Sequence, residues 1–458
     1  MFMFHATKRL ASRRLATCMA LALGFPTVGP LSASMPAPAI GPHLPSAQTR
    51  AVLNCNDSGA ESLRDILTNP NSPHHAASGD FIDLSQLPCS LITLTTGEIV
   101  VSQSNLTLLG PSSGQTTVTI SGGSAHRIFN VSAGGTLSIE DLTIADGYFS
   151  GPGDVYGGCI VAFVSSLYLR RTTVTGCTIA SSGGHALGGA MAVGGDVTLV
   201  LSSVIGNKAK APAKQGFGGG IFTGSNIFSN YSSISGNVAE NGIGGGAYSL
   251  GSMSFIGTTI DHNESSHGGG LRVSGETTIL NSTISGNTGH ADSAAVYVSG
   301  TKFSLLNSTV AFNQSDAGGS DGAIYLSSIA GDATLHSSIV AKNTAGNMPN
   351  DLTVGQGWTL QGADNLVMAS NIATAGVVTS MEDPRLGPLA FNGGFALTHA
   401  LLPGSPAIGA GNHLGMPDGF TNDQRGPGYP RSTGAGLNET TDIGAFEFDS
   451  IFSGSLDF

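Results

Sequence analysis

Apolar residues in this chain come in short alternating runs, such as Thr278-Ile279-Leu280 and Thr283-Ile284, bounded by Gly, Asn and Ser. That is the pattern of strands and turns, not of helices. The runs belong to a repeated phrase: a glycine cluster with an apolar residue, then Ser/Thr-apolar-x-Gly-Asn. It reads GGGIF at 218–222 with SSISGN at 232–237, GGGAY at 244–248 with TTIDHN at 258–263, and GGGLR at 268–272 with STISGN at 282–287. Looser copies are GGCIV at 157–161 with TTVTGC at 172–177, GGAMA at 188–192 with SSVIGN at 202–207, and GAIYL at 322–326 with SSIVAKN at 337–343. Asn207, Asn237, Asn263, Asn287, Asn313 and Asn343 are spaced by 30, 26, 24, 26 and 30 residues.

A period in this range marks a stacked array whose units cannot bury their apolar faces alone. Two or three short strands per period make one coil of a right-handed parallel β-helix, with neighbouring coils about 4.8 Å apart. The expected fold is therefore all-β: about nine or ten coils over 98–370, behind an N-terminal cap (54–97) and ahead of a C-terminal region (371–448) and tail (449–458). The six asparagines are expected to stack at one corner, where Asn tolerates a left-handed backbone and its amide reaches the next rung. The functional alternative is a line of ligand-binding amides. Sixty-seven glycines suit tight corners, and no collagen-like period is present.

Residues 1–35 carry Lys8, Arg9, Arg13 and Arg14, an apolar run at 15–25 and small residues near 31–39, as a secretory signal peptide does. Residues 36–53 read as a linker. Loss of the leader takes the formal charge from −12 to about −16, which argues against nucleic acid or an anionic membrane as partner. Export makes a Cys55–Cys89 disulfide plausible, and closing that loop is worth about 3–4 kcal/mol. Cys159 and Cys177 are expected on different sides of one coil, as buried thiols. Ser62 to Leu67 reads as a short amphipathic helix over the first coil, and another cap is expected where the repeat decays after Asn343.

The Asn56-Asp57-Ser58-Gly59 opening, SLRDIL at 62–67, TLTTGEIVV at 93–101 and LTLLGP at 106–111 resemble the N-terminal part of bacterial secreted β-helix proteins. The repeats are similar to those of polymorphic outer-membrane proteins. DPRLGPL at 383–389, LLPGSPAIGAG at 401–411, DQRG at 423–426 and DIGAFEF at 442–448 resemble the choice-of-anchor Q domain, with Gly409 at a position usually held by aspartate. These resemblances imply residence at a cell surface or in the medium.

Parallel β-helices include polysaccharide lyases and hydrolases. A hydrolase needs two carboxylates astride the scissile bond; a lyase needs clustered acids for calcium and a nearby base. Asp196, Glu240, Asp261, Glu264, Glu276, Asp292, Asp316, Asp321 and Asp332 are scattered along 157–343. Asp261-His262 fills the Ser-Gly slot of the corner repeat. The densest ionic cluster lies in the C-terminal region, where Arg425 is expected to pair with Asp442 or Glu447 and pin a cap built on Leu401, Ile408, Ile443 and Phe446. The expected function is non-catalytic: a monomeric exported module with no cofactor, for adhesion or envelope interaction through a surface glycan or protein. The alternative is a polysaccharide lyase or hydrolase with a divergent site.

Overall fold

The computed structural model describes residues 47–448 apart from 113–116, 317–320, 328, 372–375, 413–419 and 432–439. The expected leader, the first part of the linker and the tail lie outside the described residues. The chain winds into a right-handed parallel β-helix of about eleven turns. Each full coil visits four sheets in the same sequence. In one of them Val197–Val200 lies in sheet I, Ser203–Ile205 in sheet II, Lys208–Lys210 and Gly216–Phe217 in sheet III, and Ile221–Thr223 in sheet IV. Registers are in step from coil to coil. The inward position of sheet II runs Ile144, Val174, Val204, Ile234, Ile260, Ile284, Val310, Val340. Apolar stacks of this kind form one continuous core along the axis.

The stack exceeds the nine or ten coils expected, because it begins earlier. Thr49–Ala51, Phe81–Asp83 and Thr107–Leu109 already pair in sheet I. Those coils lack the glycine and asparagine phrase, so the repeat alone does not reveal them. The helix α1 (Leu63–Thr68) buries Leu63, Ile66 and Leu67, and the Ser62 hydroxyl caps it by accepting from the Asp65 N–H. Asp57 receives the Arg64 guanidinium on one carboxylate oxygen and the N–H and hydroxyl groups of Thr95 and Thr96 on the other. Burial opposes its ionisation, but the Thr95, Thr96 and Arg64 bonds prevail and hold its pKa at about 2. Cys55 and Cys89 are bonded, with Cα atoms 6.3 Å apart.

Cys159 and Cys177 are also bonded, with Cα atoms 5.5 Å apart, which corrects their reading as separate thiols. The residues between them pass through sheets IV, I and II, so the two side chains face one another across the narrow interior.

The six asparagines form an unbroken ladder. The Nδ2 of Asn207 donates to Oδ1 of Asn237, and the relation repeats through Asn263, Asn287, Asn313 and Asn343 at 2.8–2.9 Å. Each also offers its backbone N–H to the same acceptor. At 0–1% exposure no ladder amide reaches solvent, which excludes the ligand-binding reading. The left-handed residue at this corner is not the asparagine but the one before it: Gly206, Gly236, His262, Gly286, Phe312 and Lys342 have φ between 52° and 66°. Asp261-His262 does occupy the turn slot. A second ladder of hydroxyls, Ser202, Ser232, Thr258, Ser282, Ser308 and Ser338, stands at the corner between sheets I and II.

The asparagine row ends on an acid. Asp351 Oδ1 accepts from both the N–H and Nδ2 of Asn343, and Oδ2 accepts from the Ala369 N–H. Burial raises its pKa to about 6 against those donors. A carboxyl whose folded pKa is raised stabilises fully below its unfolded pKa, and the contribution is lost as pH rises to about 6. Asp351→Asn is therefore expected to flatten the pH dependence of the urea midpoint between pH 4 and 7; an unchanged slope would remove Asp351 as its source.

The C-terminal region is not an end cap. It doubles back as a strap along the outer face of sheet II. Thr259 donates to the Leu397 carbonyl, the Thr283 hydroxyl bonds the Gln424 amide oxygen, Ser285 bonds Nε2 of His399, and the Ala445 N–H donates to Thr309. Ile339, Ala341 and Leu366 of that face pack with Leu401, Ala407, Ile443 and Phe446. Most outward positions of sheet II in these coils are hydroxyl-bearing or small, as at Thr259, Thr283, Ser285, Thr309 and Ala341, so the strap can lie flat on them, with Asp261 buried beside it.

Candidate functional site

The spacings of the ladder asparagines shorten to 24 residues at the middle and lengthen again on both sides. The change is taken up in sheet III. In the longer coil, Lys208–Lys210 and Gly216–Phe217 are separated by residues 211–215. In the next, Val238–Ile243 runs straight through, and Glu264–His267 follows it with a register shift. At this waist the surface carries a groove of about 510 Å3 lined by Lys208, Lys210, Glu240, Glu264, Ser266 and His290, among others.

Its charges are ordered. His290 bridges two carboxylates, with Nε2 2.9 Å from Glu264 Oε1 and Nδ1 2.7 Å from Asp316 Oδ2. The Glu264 bond leads in raising the His290 pKa, with Asp316 adding to it and desolvation opposing. The pairings Lys208↔Val238 and Val238↔Glu264 set Lys208 two strands from Glu264 across the groove, with Lys210 on the lysine side and Glu240 on the strand between.

Round the corner, His267 bonds Asp292 at 2.7 Å, and Asp292 also accepts from the Gly268 N–H. The Asp292 bond raises the His267 pKa. Beyond it, the outward position of sheet IV reads Phe222, Tyr248, Arg272, Tyr297, Tyr325 in successive coils. The Phe222 and Tyr248 ring centroids are 5.7 Å apart, and those of Tyr297 and Tyr325 are 4.9 Å apart. The Arg272 guanidinium sits 3.6 Å over the Tyr297 ring. All five side chains are half-buried. They stand in one row because the glycine cluster pins each coil at this corner: a Cβ added to Gly219 would lie 2.3 Å from the Gly245 carbonyl, and one on Gly245 would lie 2.3 Å from that of Gly269.

Several expectations need correction. The acids were read as scattered, but folding brings Glu240 and Glu264 to one groove with two lysines and a histidine, and Asp316 bonds that histidine from behind. Asp261 is buried beside the strap, accepting from Ser235 and bonded to its neighbour His262. Arg425 pairs with Asp423, two residues away, and not with Asp442 or Glu447; it also reaches the Glu447 carbonyl. Glu447 takes Arg431 instead, at 2.6 Å. Asp442 accepts from the N–H groups of Gly409 and Phe448. Sequence reasoning missed Arg431 and the aromatic row, and did not pair Asp423 with Arg425. The row was present in the repeat itself, as the residue after the inward apolar one in GGGIF, GGGAY, GGGLR and GAIYL.

Among the described residues no three His, Cys, Asp or Glu side chains are grouped as a metal site, and no helix is long and apolar enough to cross a membrane. No family model matches the chain, and no curated protein matches it in sequence. Among solved structures it is similar to that of pectate lyase Pel9A, at 13% identity and a TM-score of 0.46 over 88% of this chain and 98% of that one. That likeness is one of fold.

Proposed function

We propose that the chain is an exported, non-catalytic β-helix module of the cell surface or extracellular space, and that it holds a glycan along the outer face of sheet IV. The observation that carries this reading is the row from Phe222 to Tyr325. Aromatic residues make up 6% of the chain, yet four of them and an arginine share one outward line. Flat apolar rings beside hydrogen-bonding groups suit sugar faces, which are apolar at the ring and polar at the rim. The leader at 1–35 and the resemblance of 383–448 to the choice-of-anchor Q domain support the location, and the acidic surface fits a partner other than nucleic acid.

A second reading, a polysaccharide lyase or hydrolase, has the sheet III groove on its side, since carboxylates and lysines meet there. Against it, Glu264 and Asp316 are both already engaged by His290. Incubation with pectin, alginate and related polymers, with and without calcium, is expected to release neither reducing ends nor unsaturated product absorbing in the ultraviolet. Release that disappears in Glu264→Gln would establish the enzyme.

A further inference from the structure

The sheet III groove is a separate feature from the aromatic row, and its chemistry points elsewhere. Nine lysine or arginine side chains in the described residues have a carboxylate partner. Lys208, Lys210 and Lys214 are not among them, and all three belong to one coil, in KAKAPAK at 208–214. On a chain of net charge −12 this is a local excess of positive charge at one wall of a concavity. The facing wall is anionic, with Glu240 and Glu264, and with Asp316 behind His290. A purely anionic ligand would meet the glutamates, and a purely cationic one the lysines. The arrangement complements a dipolar molecule.

We propose that the groove binds a short peptide-like zwitterion, its carboxylate against Lys208 and Lys210 and its ammonium against Glu264. Spacing sets the length. Lys208, Val238 and Glu264 are directly paired in consecutive coils, so the charged ends stand two strand spacings apart, about 10 Å. An extended tripeptide spans about 10–11 Å. Between the ends the groove offers the Asn241 amide and the Ser266 hydroxyl, partners for peptide N–H and C=O groups. The inference does not rest on the glycan reading and survives its failure.

The test is calorimetric titration of the full chain with tri-alanine bearing free termini, with N-acetyl-tri-alanine and with tri-alanine amide. The free peptide is expected to bind saturably at one site. Blocking either end should weaken binding at least tenfold, as should Lys208→Ala with Lys210→Ala, and Glu264→Gln. Melting curves of the variants establish that they are folded, since these side chains lie outside the core. No saturable binding, equal binding of the blocked peptides, or unchanged binding by the variants would overturn the proposal. Binding of an oligouronate that is lost in the lysine variant but kept in Glu264→Gln would overturn it too, because the site would then recognise anions alone.

Discussion

Asn287→Ala is expected to destabilise the solenoid by about 2–4 kcal/mol. The change strips the acceptor from both the N–H and the Nδ2 of Asn263, and the donor from the Ile260 carbonyl and from Asn313 Oδ1. All are buried; Asn313 Oδ1 keeps the backbone N–H of residue 287 and Asn263 Nδ2 keeps the Ile234 carbonyl, but the Asn263 N–H loses its acceptor, and an orphaned buried polar group costs about 1–3 kcal/mol. Because the amides are aligned head to tail, each polarises the next and the loss spreads along the row. Asn241→Ala, at the exposed left-handed bend (φ 50°) within Val238–Ile243 at the groove, is expected to cost no more than about 1 kcal/mol. Urea midpoints of the two variants make the comparison. Equal midpoints would mean that the ladder adds no stability beyond that of an ordinary turn.

Arg431→Ala should have the second large effect, and it should depend on pH. Arg431 is 4% exposed and donates to Asn281 Oδ1, the Asn307 and Gly444 carbonyls and Glu447. It thus ties three parts together: two coils, the strap and the buried acid. Burial pushes the Glu447 pKa up to about 8, with Arg431 pulling it down and Asp442 adding to the rise. A raised carboxyl is most favourable when protonated, so stability falls as pH climbs from its unfolded value through about 8. Without Arg431 the acid is neutral at pH 5, and the loss is that of unmade hydrogen bonds, about 1–3 kcal/mol. At pH 9 the acid is either charged without a counterion or held protonated against the solvent pH, and the cost rises to about 3–5 kcal/mol. Hydrogen exchange should quicken in the strap and in the outer face of sheet II, and not around α1. A loss that is the same at both pH values would contradict the assignment of Glu447 as the partner.

The fold was legible because its determinants are local and periodic. Inward Ile and Val, glycine clusters and ladder asparagines recur through the middle coils, and each can be read without knowing the others. The waist was also present, in the shortening of the asparagine spacing to 24 residues, but its consequence depends on where the lost residues came from. The ion pairs were not legible for a different reason. Arg425, Asp423, Arg431, Asp442 and Glu447 lie within 25 residues, and any cation could be matched with any acid by sequence. Packing decides: Arg425 is clamped between the Tyr429 and Phe446 rings, which aims it at Asp423. The strap's position was hidden because its hydrophobic residues complement a lateral face as well as an end. Cys177 was misread since its slot belongs to the asparagine ladder. Its N–H does begin that ladder, donating to Asn207 Oδ1, while its sulfur turns inward to Cys159.

Glycan binding on the sheet IV face is measured most directly by retention of the full chain in native gels cast with envelope and cell-wall polysaccharides. The unaltered chain should be retarded by at least one of them, without shortening the polymer. Tyr297→Ala and Arg272→Ala should each lose that retardation while melting close to the parent, since stacking of this kind contributes about 0.5–2 kcal/mol per contact and the side chains face outward. Retardation that persists in both variants, or a polymer cut during the run, would contradict a non-catalytic glycan site on sheet IV.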